Sequence, residues 1–246
     1  MSTNTLSLHQ IWWLTLTSPQ ISFQTQARGY LNPTSLHAGL EEPNTLEEDW
    51  GITDRLSLHQ QIASLVNDGT HGHYLVSDYS QYACGTSLNW RYLIDFEQSP
   101  RRQAEMRYVA ATYSILGVGG TRAYDFGRAS YLTREGLRLG WVSQEEFDFL
   151  HSFIATKSRY FYRSWEQYTQ AWFAGRAIWM FLINEPDTEE AAEALLNGWI
   201  ARRQRIDYRR AISDRDNPIH QCDWDMELPQ LSAPQSLLDL LNQTQD

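Results

Sequence analysis

The chain has 246 residues, of which 42% are hydrophobic and 20% charged. That balance excludes a disordered chain, and the length is enough to bury a core without disulfides or a structural metal. A net charge of -10 and a pI of about 5.1 exclude free nucleic acid as a partner, because binding it requires a phosphate-neutralising basic surface. The same acidity is compatible with a basic protein partner, and it also serves solubility.

Lys157 is the sole lysine beside many arginines. Arginine suits bidentate pairing with carboxylates, and coding bias produces the same skew. Ten Trp, thirteen Tyr and nine Phe fit a bulky core or the lining of a pocket or interface. Cys84 and Cys222 form no CxxC and no ligand quartet, the usage of a reducing compartment. Ile11-Trp12-Trp13-Leu14 is too short for a signal peptide or a membrane span, so a cytoplasmic protein with no membrane partner is expected.

In chain order, residues 1–47 read as an irregular segment rich in Thr, Ser, Gln and Asn. Ile11–Leu16 fits a short helix or strand, and Gly29, Pro33, Gly39 and Pro43 mark loop. The first clear helix follows Thr53 or Asp54 as cap, with Leu58, Ile62, Leu65 and Val66 on one stripe, and stops at Asn67-Asp68-Gly69. His71 to Ser77 reads as a turn or short extended piece. Arg101–Leu116 carries Ala104, Tyr108, Ala111 and Ile115 at helical spacing and ends in Gly117, Gly119 and Gly120.

Thr121 is a candidate cap for a helix to about Leu137. Ser143-x-x-Glu146 is a capping box before a helix that buries Phe147, Leu150, Phe153 and Ile154. Phe161, Trp165, Tyr168, Trp172, Gly175 and Trp179 then step by three and four residues, the strongest periodic signal in the chain. Asp187-Thr-Glu-Glu190 opens a helix predicted to bury Ala192, Leu195, Leu196 and Trp199, with a basic end over Arg202–Arg210. Residues 213–235 are Asp-, Pro- and Asn-rich, and Ser236–Leu241 is a short terminal helix or turn. The predicted class is mainly α, an irregular helical bundle with short peripheral strands at most. Residues 48–205 form its helical core, and 206–246 form a loop-rich extension packed on that core.

Four spaced blocks carry a resemblance. They are Trp50-Gly51-Ile52 with Asn67-Asp68-Gly69; Ala123-Tyr124-Asp125-Phe126-Gly127-Arg128; Gly136, Gly140-Trp141 and Ser143-x-Glu145-Glu146; and Ser164-Trp165, Tyr168 and Gly175-Arg176-Ala177-x-Trp179. In this order, over about residues 48–183, the chain resembles the bacterial domain-of-unknown-function family 1266. The first block of that family normally ends in Gly-His, where this chain reads Gly69-Thr70-His71. The resemblance implies an architecture, a bacterial setting and an association with secretion and toxin genes, but no reaction.

Charged residues inside aromatic, small-residue stripes are the candidate site: Asp125, Arg128, Arg176 and Glu145. Asp125 and Arg176 fit a charge-assisted clamp between two helices, with Arg128 beside them. The functional alternative is a small-ligand or phosphate pocket gripped by Arg128 and Arg176. Glu146 is explained by its capping box, and Glu145 is weighed as an acid–base group. His71-Gly-His73 lacks a third ligand at fixed spacing, and His220-Gln-Cys222-Asp223-x-Asp225 lies in loop, so no metal or cofactor is expected. Gly117-Val-Gly119-Gly120 follows a helix and lacks the Gly-Lys-Ser/Thr of a phosphate loop. Without a catalytic constellation, the expected function is a non-catalytic protein-binding or regulatory role. The alternative is an enzyme acting on a nucleotide or phosphate-bearing substrate through an Arg/Asp/Glu cleft.

Overall fold

The computed structural model describes residues 6–22, 28–36 and 46–242. Helix α1 (Leu8–Thr15) opens on a capping box between Ser7 and Gln10, so the Ile11 segment is helical, and α2 (Ser18–Ser22) follows. The loop markers Gly39 and Pro43 lie outside the described residues. After α3 (Leu46–Trp50), α4 (Arg55–Asn67) is capped by Asp54, whose Oδ1 accepts from the Ser57 amide at 2.7 Å. It buries the predicted stripe Leu58, Ile62, Leu65 and Val66.

Two helices follow where the apolar spacing announces none: α5 (Val76–Cys84) and α6 (Ser87–Phe96). Helix α7 (Pro100–Leu116) begins at the Ser99 cap with proline in its first turn and ends at Gly117, φ 62°. Its buried face keeps Ala104 and Tyr108 but leaves Ala111 and Ile115 exposed. Helices α8 (Ala123–Arg138) and α9 (Gln144–Phe161) follow, the latter on the predicted capping box: Ser143 Oγ accepts from the Glu146 amide at 3.2 Å and Glu146 accepts from the Ser143 amide at 2.9 Å.

The aromatic seam is split. Phe161 closes α9, and α10 (Trp165–Leu182) restarts after the Ser164 cap. Trp165, Tyr168 and Trp172 are buried, whereas Trp179 is half-buried. Helix α11 (Glu189–Leu196) buries Ala191, Ala194 and Leu195, a face shifted from the predicted one. Asn197-Gly198 ends that helix, so Trp199 instead starts α12 (Trp199–Ser213), half exposed. Residues 214–234 are loop around one 3-10 turn, and α13 (Gln235–Asn242) is the predicted terminal helix. The class is mainly α: among the described residues there is no strand beyond a single bridge residue at Arg28. No described helix is long and apolar enough to cross a membrane.

The chain packs as two compact units, each drawn from separated stretches: residues 1–67, 126–159 and 214–246 in one, residues 68–125 and 160–213 in the other. It passes from one to the other inside α8, after Asp125, and inside α9, after Arg159. In the first unit the Trp12 indole donates to the Trp224 carbonyl at 3.2 Å. There too a buried polar line runs from Thr17 through Ser130 to His151. In the second unit α10 packs along α12 and α11 against α7. Its core is built on Tyr79, Tyr108, Tyr162, Tyr168, Phe173 and Phe181. These rings supply large buried areas, and the hydroxyls of Tyr79, Tyr108 and Tyr162 find partners.

Candidate functional site

Asp125, in the first turn of α8, is fully buried and sits at the centre of the second unit's polar chemistry. Its Oδ2 accepts from the Thr70 amide at 2.8 Å, the His73 amide at 3.1 Å and His73 Nδ1 at 2.8 Å. Its Oδ1 accepts from Thr70 Oγ1 at 3.1 Å. Four donors on one carboxylate are the chemistry of its ionised form, which only accepts. His73 Nδ1, facing an oxygen that also accepts from two amides, is the donor of that contact. A carboxylate at this position also faces the positive end of the helix dipole.

The loop is shaped to wrap that carboxylate. Gly69 has φ 68°, and a Cβ there would overlap the His73 ring. A Cβ on Gly72 would lie 2.8 Å from Asp125 Cγ, too close for any side chain. Thr121, predicted as a helix cap, instead donates its hydroxyl to the Gly72 carbonyl at 2.8 Å. The first two motif blocks thus meet at Asp125. The glycines after α7 serve tyrosines rather than phosphate. A Cβ on Gly119 would meet Tyr162 at 2.9 Å, and Tyr162 Oη bonds to the Gly120 carbonyl and the Ala123 amide. Burial pushes the Tyr162 phenol well above its usual range.

Arg176 is held by Asp207 of α12. Its Nη1 lies 3.1 Å from Asp207 Oδ2, and Arg203 Nε lies 2.7 Å from the same oxygen. Burial pushes the Arg176 guanidinium down and Asp207 pulls it back up. The small residues before it bring α10 against α8: a Cβ on Gly175 would lie 2.8 Å from the Thr121 carbonyl oxygen. There the Tyr124 and Trp172 rings meet edge to face at 5.2 Å.

The other two candidates belong to the first unit. The Arg128 guanidinium carbon lies 5.4 Å from the centre of the Trp50 ring, a cation–π contact that joins two motif blocks. Glu145 is exposed on the first turn of α9 with no hydrogen bond or ion pair among the described residues. Its neighbour Glu146 is the engaged group: buried, paired with Arg55, and accepting from Ser236 Oγ at 2.6 Å. Burial works to raise the Glu146 carboxyl, but Ser236, Ser143 and Arg55 outweigh it and hold it below the usual range. Nothing in residue type marks Thr70, Asp207 or Arg55, and His73, weighed only as half of a metal-ligand pair, serves Asp125 instead. The glycine pair at 69 and 72 was the available signal for Thr70 and His73.

The family described as "Protein of unknown function (DUF1266)" matches residues 45–224. The match contains all four motif blocks and runs on through α11 and α12 to Trp224. "Uncharacterized protein YbeR" of Escherichia coli (strain K12) is 30% identical over 163 residues, 66% of this chain and 66% of YbeR, so the match spans about two thirds of that relative. "Uncharacterized protein YbeU" of the same organism is 31% identical over 205 residues, 83% of this chain and 86% of YbeU. No solved structure matches the chain significantly.

Proposed function

The chain belongs to the DUF1266 family, and we propose that it is a non-catalytic binding protein of the regulator or neutraliser type that docks a basic protein on α6. The observation that carries this reading is the outer face of that helix. Leu88, Tyr92, Leu93 and Phe96 are 72%, 59%, 49% and 64% exposed, with Leu88, Tyr92 and Phe96 one turn apart. Only Trp90 and Ile94 turn inward. Together the four side chains offer roughly 400 Å² of apolar surface, the scale at which exposed patches mark interaction sites. Stepped anchors of this kind suit an apolar helix face.

Arg91 and Asp95 edge the stripe, and the chain's net charge of -10 sets the sign of the partner by long-range steering. Support also comes from the interior charges, since Asp125 and Arg176 are engaged by internal groups rather than held open for chemistry. Cys84 and Cys222 are thiols, which supports a reducing, cytoplasmic setting.

The test is affinity purification from the bacterial host, followed by reconstitution with the purified partner and full-length protein in a calorimeter. We expect one basic protein at stoichiometric yield, an on-rate that falls with salt, and binding weakened about tenfold or more by Tyr92→Glu/Phe96→Glu. The melting temperature of that variant stays unchanged. Equal binding by the variant overturns the reading. So does a self-associated wild type that the variant turns monomeric, because a second copy would then cover α6.

A second reading, an enzyme acting on a nucleotide or phosphate-bearing substrate, draws on the His73–Asp125 pair, since a buried carboxylate that fixes an imidazole tautomer is an arrangement used for general bases. Its mark would be a phosphate-ester turnover abolished by His73→Gln.

A further inference from the structure

A cavity of about 320 Å³ opens in the second unit among α7, α10 and α12. Its wall is mainly apolar: Leu116, Phe173 and Ala174 are buried at its floor, and Ile115 lines it from the exposed end of α7. This accounts for an isoleucine that the helical spacing of α7 assigns to the core and that the fold leaves 48% exposed. A dry apolar wall with a few placed polar groups is the usual make-up of a small-molecule site.

The charged groups of its lining are arginines. Arg205 and Arg209 lie one turn apart on α12, and both line the cavity. Among the described residues neither guanidinium has an ion pair or a hydrogen bond. Their neighbour Arg203, two residues from Arg205, is tied to Asp207. The one carboxylate bonded to a lining residue is Glu166, which already accepts from Tyr208 Oη at 3.2 Å and Gln170 Nε2 at 3.4 Å. Gln204 accepts from Tyr108 Oη at 3.0 Å, which turns its amide NH2 into a further donor at the rim. Two cations and an amide donor stand over an apolar floor, and among the described residues no carboxylate pairs with either cation.

We propose that this cavity binds a small anionic amphiphile, a carboxylate of about eight carbons in all, as a free ligand. The carboxylate seats on Arg205 and Arg209, where planar guanidinium forks match its two oxygens. The chain lies along Ile115, Leu116, Phe173 and Ala174. The volume sets the size: at ~30 Å³ per water-sized group the cavity holds roughly ten non-hydrogen atoms. The site is separate from the α6 face and stands whether or not a protein docks there.

The test titrates full-length protein with octanoate, acetate and 1-octanol by calorimetry. Saturable binding of octanoate with a Kd below about 1 mM is expected, with acetate and 1-octanol each at least about tenfold weaker. Arg205→Gln/Arg209→Gln changes two exposed side chains and should leave the melting temperature intact while weakening octanoate about tenfold or more. Ile115→Glu, which sets a negative charge at the wall, should do the same. Phosphatidylglycerol vesicles should leave the protein in the supernatant on sedimentation. Octanoate binding that survives the double variant, 1-octanol binding that equals octanoate, or no saturation at all overturns the proposal. Pelleting with the vesicles overturns it in favour of a lipid headgroup as the source of the anion.

Discussion

Replacing Asp125 by alanine removes the group around which the Gly69–His73 loop is folded. Four donors lose their acceptor: the Thr70 and His73 amides, the Thr70 hydroxyl and His73 Nδ1. A buried donor left without a partner costs about 1–3 kcal/mol, and more where a charge had been paired. The loop side chains are only partly buried, so water re-solvates some of these donors. With two of the four left dry, the loss is about 3–5 kcal/mol. For a chain of this size that is a fall in Tm of roughly 6–20 °C. Asp125→Asn keeps the shape but turns an NH2 toward other donors, so it should cost about half as much. Urea unfolding followed by tryptophan fluorescence gives the totals, and amide exchange at Thr70 and His73 reports the loop itself. An Asp125→Ala protein within about 1 kcal/mol of wild type, with those two amides still protected, would refute the account of the loop.

His151 is fully buried between Ser130 and the Phe147 carbonyl, and burial pushes its pKa down to about 3. Below its ordinary value near 6.5 the unfolded chain takes up a proton that the folded chain refuses, so stability is lost as pH falls. At 1.36 kcal/mol per pH unit, wild type should lose about 2 kcal/mol more than His151→Gln between pH 6.5 and 5; parallel unfolding profiles would contradict this. Gly175→Ala raises helix propensity by about 1 kcal/mol but sets a methyl 2.8 Å from the Thr121 carbonyl oxygen and against Tyr124. Thermal melts should show a net destabilisation of about 1–3 kcal/mol, and a stabilised variant would disprove the close approach of α10 to α8.

What was legible in the sequence is what depends on neighbours within a turn or two. The Asp54 cap, the Ser143–Glu146 box and the buried positions Trp165, Tyr168 and Trp172 all follow from spacing of three or four. Helix α6 escaped because its apolar residues face both ways. Trp90 and Ile94 point inward while Leu88, Tyr92 and Phe96 point outward, so no single face carries a period. The partner of Asp125 escaped for another reason. A buried charge must be matched, which made Arg176 the visible candidate, but its acceptors are met by loop amides that no residue type reveals. Only Gly69 and Gly72 betray them, as positions where a side chain would collide. Likewise Glu146 reads as a cap, yet it also holds Arg55 and Ser236, which lie 181 residues apart along the chain.

The arginines of α12 divide in the same way. Read as sequence, Arg202–Arg210 is one basic helix end that complements the dipole. The helical period divides it. Arg203 reaches Asp207 four residues on and, with Arg176, neutralises a buried carboxylate. Arg205 and Arg209, in phase with each other but not with Arg203, line a cavity with an apolar floor, and no described carboxylate pairs with either. Identical residues two positions apart thus differ in role because the turn of α12 brings them to different packing surroundings. That packing, rather than composition, separates an arginine that stabilises the fold from one left to meet a ligand.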